Sequence, residues 1–394
     1  MRIAVNAFFL GQEATGSGQY IYHLLRALEQ VDKHNEYLLY KSEKPGFSNS
    51  VQILKTPFSR HFENLDKLWF EQISFPLACR NASVHLAHVP YFASPLCPTV
   101  PTIVTIHDLI PLLLPAYRRS VLIRLYTGLV AAAARRAAYI ITDSQSSKND
   151  IVKYLRVPPE RVHVIYLAAD PACHPIRDEN ALAAMRHKYG LPDDYLLYLG
   201  GFDQRKNIAM LLRAYAQVMK ALGDTAPYLV IAGRLPNKDT SLFPDPRRIA
   251  RELGLEKKVI FTGWIAEEDK PALYSGALLF VFLSLYEGFG LMPLEAMRCG
   301  IPVLASRVSS LPEVVGEGGL LVNPTDLDEV TEGMLTLLRN LELRRKLAQQ
   351  ALVRASQFDW AETARQTLEV YNLAMSTATS QWDKEAHEAH ARFD

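Results

Sequence analysis

The stretch Leu285-Tyr286-Glu287-Gly288-Phe289-Gly290-Leu291-Met292-Pro293-Leu294-Glu295-Ala296 places two glutamates eight positions apart, and its reading decides the fold. Before it, residues 277–284 (ALLFVFLS) form an unbroken apolar run, as a parallel strand buried on both faces requires. After it, the pattern predicts a helix over about 293–299, stopped by Gly300. Gly288, Phe289, Gly290 and Leu291 thus form a turn at the carboxyl end of a strand, where free N–H groups and a helix N-terminus attract phosphate. Glu287 ends the strand, and Glu295 is expected in the first turn of the helix beside the same loop. A carboxylate accepts two hydrogen bonds at once, which suits the vicinal hydroxyls of a sugar or a ribose. For a bare pair of glutamates the plainer reading would prevail, with Glu295 complementing the helix dipole and Glu287 solvated. The glycines, Pro293 and the apolar strand turn the balance toward a ligand site.

Similar apolar runs recur at 3–7, 37–40, 51–54, 84–89, 102–106, 139–142 and 162–166, with helical patterns between several of them. A second series follows at 195–199, 228–232, 258–262, 277–284, 302–305 and 320–322, separated by helices such as 208–221. The segment Asp170-Pro171-Ala172-Cys173-His174-Pro175, with two prolines, is the expected linker. The fold class is therefore α/β, with two Rossmann-like domains expected to face each other across a cleft.

Composition agrees with this. The chain has 394 residues, 49% of them apolar and 22% charged, which is ordinary for an enzyme of two domains. A net charge of +1 argues against a nucleic-acid partner. Cys79, Cys97, Cys173 and Cys299 form no C-x-x-C pair, so neither a zinc site nor a disulfide framework is expected, and the cytoplasm is the default compartment. The start, MRIAVNAFFL, reads as a strand rather than a signal sequence, and no uncharged run reaches the length of a spanning helix. Without a signal, Asn81-Ala82-Ser83 is an accidental match to a glycosylation acceptor.

The glutamate stretch resembles the E-x7-E signature of the retaining, nucleotide-sugar-dependent glycosyltransferases of family 4, which have the GT-B fold of two Rossmann domains. The resemblance runs from Met1 to about Ala374 and implies that Glu287 contacts the donor hexose and Glu295 the ribose. It also implies an N-terminal acceptor-side domain over 1–172, a nucleotide-sugar domain over 173–357, and a helix over 358–375 that crosses back to the first domain. The polar segment 376–394 is expected to be frayed and is assigned no role.

Further motifs fit the same frame. The strand 195–199 leads into Gly200-Gly201-Phe202-Asp203-Gln204-Arg205-Lys206-Asn207, where glycines admit a close ligand and two adjacent cations can face a diphosphate. Alone, this would be a solvated basic turn; beside the glutamates, Lys206 and Arg205 are expected to stabilise a departing nucleoside diphosphate. Family members often carry an arginine where this chain has Gly201, so the second charge either comes from Arg205 or is missing. Gly16-Ser17-Gly18 precedes a helix expected to begin near Gln19 and lacks both the P-loop lysine and a complete G-x-G-x-x-G. It is either a plain turn or, as the resemblance implies, a loop over the donor diphosphate. His107 and Asp108 follow the strand 102–106. A histidine there projects from the strand's end, and the family's H-D motif implies that His107 contacts the transferring sugar, whereas Asp108 reads as a turn or cap. Asp326-Leu327-Asp328 and Ser144 read as helix caps rather than metal ligands, Glu313 as helix-terminal, and no metal site is expected.

The run 117–138 combines apolar residues with Arg118, Arg119, Arg124, Arg135 and Arg136. Such a helix either covers a sheet or lies peripherally on an anionic membrane, which would suit a lipid-linked acceptor. The start of the chain and the run HDLIPLLLP look most like bacterial mannosyltransferases of surface-polysaccharide assembly, so GDP-mannose is the first donor expected, as substrate rather than cofactor. A UDP-sugar donor, a sugar-nucleotide epimerase of the same fold, and a catalytically silent glycan-binding partner remain open. The expected reaction transfers a hexose with retention to a hydroxyl of a glycan or lipid-linked acceptor, without a divalent metal.

Overall fold

A computed structural model describes residues 1–12, 15–42, 51–57, 63–117 and 121–390. The chain divides into two compact units, one formed by Met1–Leu167 with the chain from Trp360 onward, the other by Ala168–Asp359.

The first unit is a parallel sheet of β1 (Arg2–Asn6), β2 (Glu36–Lys41), β3 (Val51–Ile53), β4 (Leu86–Val89), β5 (Thr102–Thr105), β6 (Tyr139–Thr142) and β7 (Val162–Val164), in the order 3-2-1-4-5-6-7. Side chains alternate across the pleat, so each strand feeds two cores. Ala4, Val89, Val104 and Ile140 pack with Phe70 and Phe75 of the helical stretch 63–81 and with Val130 and Ala134 of a later helix. On the other face, Ile3, Val5, Leu86, Ile103 and Ile141 pack with Ile21, Val370 and Tyr371. Ile21 belongs to helix α1 (Gly16–Val31), Val130 and Ala134 to α2 (Val121–Ala134), and Val370 and Tyr371 to the C-terminal helix Trp360–His390. Helix α2 is shorter than the arginine-rich run 117–138: Arg135 and Arg136 follow its end, Arg135 Nε donating to the Leu155 carbonyl at 2.7 Å, and Arg118 and Arg119 lie outside the described residues.

Inside this core His88 is fully buried, its Nδ1 2.7 Å from Tyr371 Oη and its Nε2 2.9 Å from Thr105 Oγ1. Burial, with a smaller contribution from His107, pulls its pKa down to about 3, so the ring is neutral and joins the C-terminal helix to the sheet. Thr363 Oγ1 adds a bond to the Tyr166 carbonyl at 2.7 Å.

The second unit is a parallel sheet of β8 (Tyr195–Leu199), β9 (Tyr228–Ala232), β10 (Val259–Gly263), β11 (Leu279–Phe282), β12 (Val303–Ser306) and β13 (Gly319–Val322), in the order 10-9-8-11-12-13. Helix α3 (Ile208–Leu222) follows β8 and buries Leu211, Leu212, Tyr215 and Val218, while α4 (Leu291–Arg298) follows β11 and buries Leu294, Ala296 and Met297.

Three expectations about chain organisation change. The expected linker belongs to the second unit, which begins at Ala168: Arg298 Nε donates to the Cys173 carbonyl at 3.2 Å, and the Ile176 amide to Ser275 Oγ at 2.9 Å. The last helix starts at Trp360 rather than 358 and is grouped with the first unit. Its backbone continues to His390, so most of the segment expected to fray extends that helix.

Replacing Tyr371 by Phe removes the hydroxyl that meets His88 and leaves a ring nitrogen buried without it. The variant is expected to lose about 1–3 kcal/mol in urea unfolding, and an unchanged midpoint would remove this contact from the account of the fold.

Candidate functional site

In the second sheet the strand order reverses between β8 and β11, which pair directly, Leu279 with Leu196 and Phe280 with Leu197. The chain leaves these neighbours in opposite directions, so their carboxyl ends frame a crevice at the topological switch point. Both predicted motifs lie there. After β8 the chain makes a short helical turn, Gln204–Lys206, and the Leu285 amide donates to the Arg205 carbonyl at 2.8 Å, fastening the loop after β11 to the loop after β8.

Three charged side chains meet across that seam. Arg205 Nη1 lies 2.6 Å and Lys206 Nζ 2.7 Å from the same oxygen, Oε1 of Glu287. Arg205 also donates to the Tyr286 carbonyl at 2.7 Å and lies 3.4 Å from Asp203. Lys206 is buried, with its ammonium 4.8 Å from the centre of the Phe282 ring. Burial alone would raise the Glu287 pKa, but Lys206 and Arg205 outweigh it and hold the carboxyl at about 2. Burial, reinforced by Arg205, depresses the Lys206 ammonium against the pull of Glu287. The second cation near Gly201 is thus Arg205. Gly201 itself has room for a side chain, since a Cβ there would meet nothing nearer than Asp203 Oδ2 at 3.7 Å.

Serines after β12, which the sequence reading passed over, clamp the loop. The Glu287 amide donates to Ser309 Oγ at 2.9 Å, while Ser310 Oγ lies 2.9 Å from the Glu287 carbonyl and 2.6 Å from that of Phe289. Ser309 holds a left-handed φ of 48°, the conformation that turns its hydroxyl toward Glu287. Gly290 precedes α4 at φ 121°, and a Cβ there would stand 2.8 Å from Leu311 Cδ2. No side chain caps α4, and Leu291 opens it, so its first N–H groups face the loop of Gly288. Phe289 is buried edge-on against Phe358 at 5.8 Å, a packing contact. On the other side of β8, Gly233 follows β9 so close to Gly200 that a Cβ would fall 2.1 Å from the Gly200 carbonyl oxygen. The need for that second glycine was invisible without the strand order.

Glu295 has other partners. It is the fifth residue of α4, in the second turn rather than the first, so the helix-dipole argument does not apply to it. Its buried carboxylate accepts from Tyr274 Oη at 2.9 Å. Burial raises its pKa to about 7 against the opposing pull of Lys270 and Tyr274, with Glu267 and Asp170 adding to the rise. Its electrostatic neighbours therefore differ from those of Glu287.

The first unit carries its own convergence. His107, past the end of β5, has Nδ1 2.7 Å from Asp143 Oδ2, while its Nε2 lies toward the Pro90 carbonyl without a well-aligned hydrogen bond. Burial opposes the charged ring, but Asp143 and then Asp108 overcome it and raise the pKa. Asp143 follows β6 beside β5, a neighbour that strand order reveals and sequence spacing does not. The Tyr20 ring of α1 meets the histidine edge-on at 4.8 Å. Gly16 and Gly18 lie inside the first turn of α1, capped by Thr15 Oγ1 accepting from the Gly18 amide at 3.1 Å, so the helix begins earlier than expected. A Cβ on Gly18 would lie 2.1 Å from the Gln12 carbonyl oxygen, a packing reason for that glycine. Asp108 accepts from the Ile110 amide, and Ser144 and Asp326 cap their helices as expected.

The two glutamates give opposite pH responses. The stability supplied by Glu287 is present above its ordinary value of 4.5 and is lost as pH falls through about 2. Glu295 is favoured in its neutral form, so the stability linked to it is full below 4.5 and is lost as pH rises through about 7. Relative to the parent, Glu295→Gln should therefore gain a few kcal/mol between pH ~4.5 and ~8 in urea unfolding; a difference that stays constant over that window would contradict the assignment.

Comparisons with known proteins bear on the same segments. The family described as Glycosyltransferase Family 4 matches residues 14–172, and that described as Glycosyl transferases group 1 matches residues 183–354. The O-antigen chain mannosyltransferase B of Escherichia coli is 34% identical over 272 residues, covering 69% of this chain and 70% of that protein. The serotype-specific mannosyltransferase WbdA of Escherichia coli is 32% identical over 340 residues, or 81% of this chain, which spans only 40% of that longer protein's length. Among solved structures, sucrose-phosphate synthase from Thermosynechococcus elongatus superposes with a TM-score of 0.76 at 23% identity, covering 96% of this chain and all of that one. With two parallel-sheet units of this topology and relatives of this likeness, the chain belongs to the family 4, group 1 glycosyltransferases of the GT-B fold.

Proposed function

We propose that the protein transfers a hexose, mannose as the first assignment, from a nucleotide-diphosphate sugar to a hydroxyl of a glycan or lipid-linked acceptor, with retained configuration and without a metal ion. GDP-mannose is the donor to test first, because the two Escherichia coli relatives are named as mannosyltransferases. The cytoplasm is the proposed compartment; among the described residues no helix is long and apolar enough to cross a membrane. The observation that carries the reading is the convergence of Arg205 and Lys206 on one oxygen of Glu287 at the switch point, beside the uncapped start of α4.

The chemistry follows from that convergence. Glu287 pairs with both cations through one oxygen, a single negative charge against two positive ones. A donor diphosphate competes for Arg205 and Lys206 with more charge and more acceptor oxygens, so its arrival frees Glu287 to accept hydrogen bonds from sugar hydroxyls. The bond from the anomeric carbon to the diphosphate oxygen then breaks, its electron pair leaving with the phosphate, while the acceptor oxygen forms its bond on the same face of the sugar. The departing phosphate oxygen takes the acceptor's proton, and the two cations stabilise the charge that develops. His107, held by Asp143, is proposed to contact the transferring sugar, and Glu295 the ribose.

Removal of the Lys206 ammonium deletes a preorganised charge on the leaving group. Lys206→Ala is expected to lower turnover of GDP-mannose about 100- to 1000-fold in a discontinuous product assay, and near-parent turnover would refute the role. Activity should persist undiminished in excess chelator, and its loss with recovery on adding a divalent cation would overturn the metal-independent scheme.

A further inference from the structure

The amino edge of the first sheet carries a cluster of positive charge that the fold leaves unbalanced. Thr102 opens β5 and Tyr139 opens β6, and beside these two strand starts lies a groove of about 370 Å³ lined by Arg135, Arg136 and Arg161. His107 and Asp143 lie past the other ends of the same two strands, so the groove and the candidate site occupy opposite edges of the sheet.

Backbone carbonyls hold all three guanidinium groups in place. Arg135 Nε donates to the Leu155 carbonyl at 2.7 Å, Arg136 Nη1 to the Leu96 carbonyl at 3.1 Å, and Arg161 Nη2 to the Arg135 carbonyl at 2.8 Å and to that of Ala137. Part of this is ordinary helix capping, since Leu155 ends the helical stretch 145–155 while Arg135 and Ala137 follow α2. Capping explains where the arginines stand but not how much charge they bring. A guanidinium has five N–H groups, and these carbonyls engage only part of each set. Arg161 Nε is buried and makes no hydrogen bond.

The balance of charge points to the class of ligand. Two helix C-termini offset roughly one elementary charge between them, which leaves a surplus of about two against three arginines. None of the three pairs with a carboxylate among the described residues. From Leu109 to Thr142 the sequence contains no Asp or Glu, and Glu160, next to Arg161, is exposed and forms no ion pair with it. Asp383 and Glu385, further along the C-terminal helix, have side chains outside the described residues. A phosphomonoester carries about −1.5 to −2 charges at pH 7, which matches the surplus, and the planar fork of arginine suits its oxygens. The Tyr139 and Thr377 hydroxyls, 3.1 Å apart, line the same groove, and Val100 and Pro101 give it an apolar wall. Its volume lies at the lower end of the roughly 300–1,000 Å³ typical of small-molecule sites, which leaves room for an organic part beside the phosphate.

We infer that this groove binds a small soluble phosphomonoester, with Arg135, Arg136 and Arg161 around the phosphate and Val100 and Pro101 against the organic part. The inference stands on the first unit alone and does not depend on the donor or on the transfer reaction.

Calorimetric titration with glycerol 3-phosphate tests it. The full chain is expected to bind one equivalent and to bind no glycerol. Lys206→Ala, which removes a cation of the proposed donor crevice, should leave that binding in place. On the Lys206→Ala background, the exposed pair Arg135→Gln/Arg136→Gln, and separately Arg161→Gln, should weaken binding at least about tenfold while circular dichroism stays that of the parent. Affinity should also fall as pH drops through about 6, where the phosphate takes up a proton, and orthophosphate should bind several-fold more weakly than the ester. Four results would overturn the inference: no binding by the parent or by Asp383→Asn/Glu385→Gln, arginine pairs whose loss leaves the affinity unchanged, binding that Lys206→Ala removes, or orthophosphate held as tightly as the ester.

Discussion

One carboxylate oxygen organises the second unit. Two cations on the loop after β8 meet Glu287 Oε1 on the loop after β11, and all three side chains are largely shielded from water. A buried ion left without its partner costs several kcal/mol, so neither loop can settle independently of the other. The constraint spreads outward through neutral groups. Ser309 and Ser310 fix the backbone on either side of the carboxylate, Gly290 lets that backbone turn into α4 against Leu311, and Gly233 lets β9 end against Gly200. The two loops are thus joined by charge and by backbone-directed hydrogen bonds rather than by apolar packing alone.

Two histidines of the first unit show how environment sets the role. His88 sits within a strand between two hydroxyls, and burial keeps it neutral and structural. His107 lies past the end of the next strand against Asp143, and the same burial is overridden by the carboxylate. One residue type in one sheet is a joint in the first case and, in the second, a group past a strand's end whose charged form Asp143 favours.

The reading of the sequence succeeded where the signal was local. Each of the apolar runs expected to be a strand overlaps one, most plainly where, as in β4, β5, β8 and β11, burial on both faces is written into consecutive residues. Arg205, Lys206 and Glu287 could be placed at one edge of the sheet because short motifs follow strands whose carboxyl ends are fixed in place by that pattern. What escaped depended on neighbours distant in sequence. Asp143 reaches His107 only because β6 lies beside β5, and Ser309 reaches Glu287 only because β12 lies beside β11. The placement of Glu295 failed for a smaller reason: the helix starts at Leu291, two residues before the proline that was read as its opening, and that shift carries the glutamate from the third helical position to the fifth, past the first turn.

The stapling of Tyr371 to His88 also bears on how the molecule is made. Residues 3–141 build a sheet face whose covering helix is not synthesised until after residue 360, so the whole second unit emerges from the ribosome while that face lacks its cover. The nested unit has a continuous chain and can complete its fold first, whereas the earlier one must wait, half-assembled, for its last element. The last helix to be made is thus the one that closes the first sheet to be made.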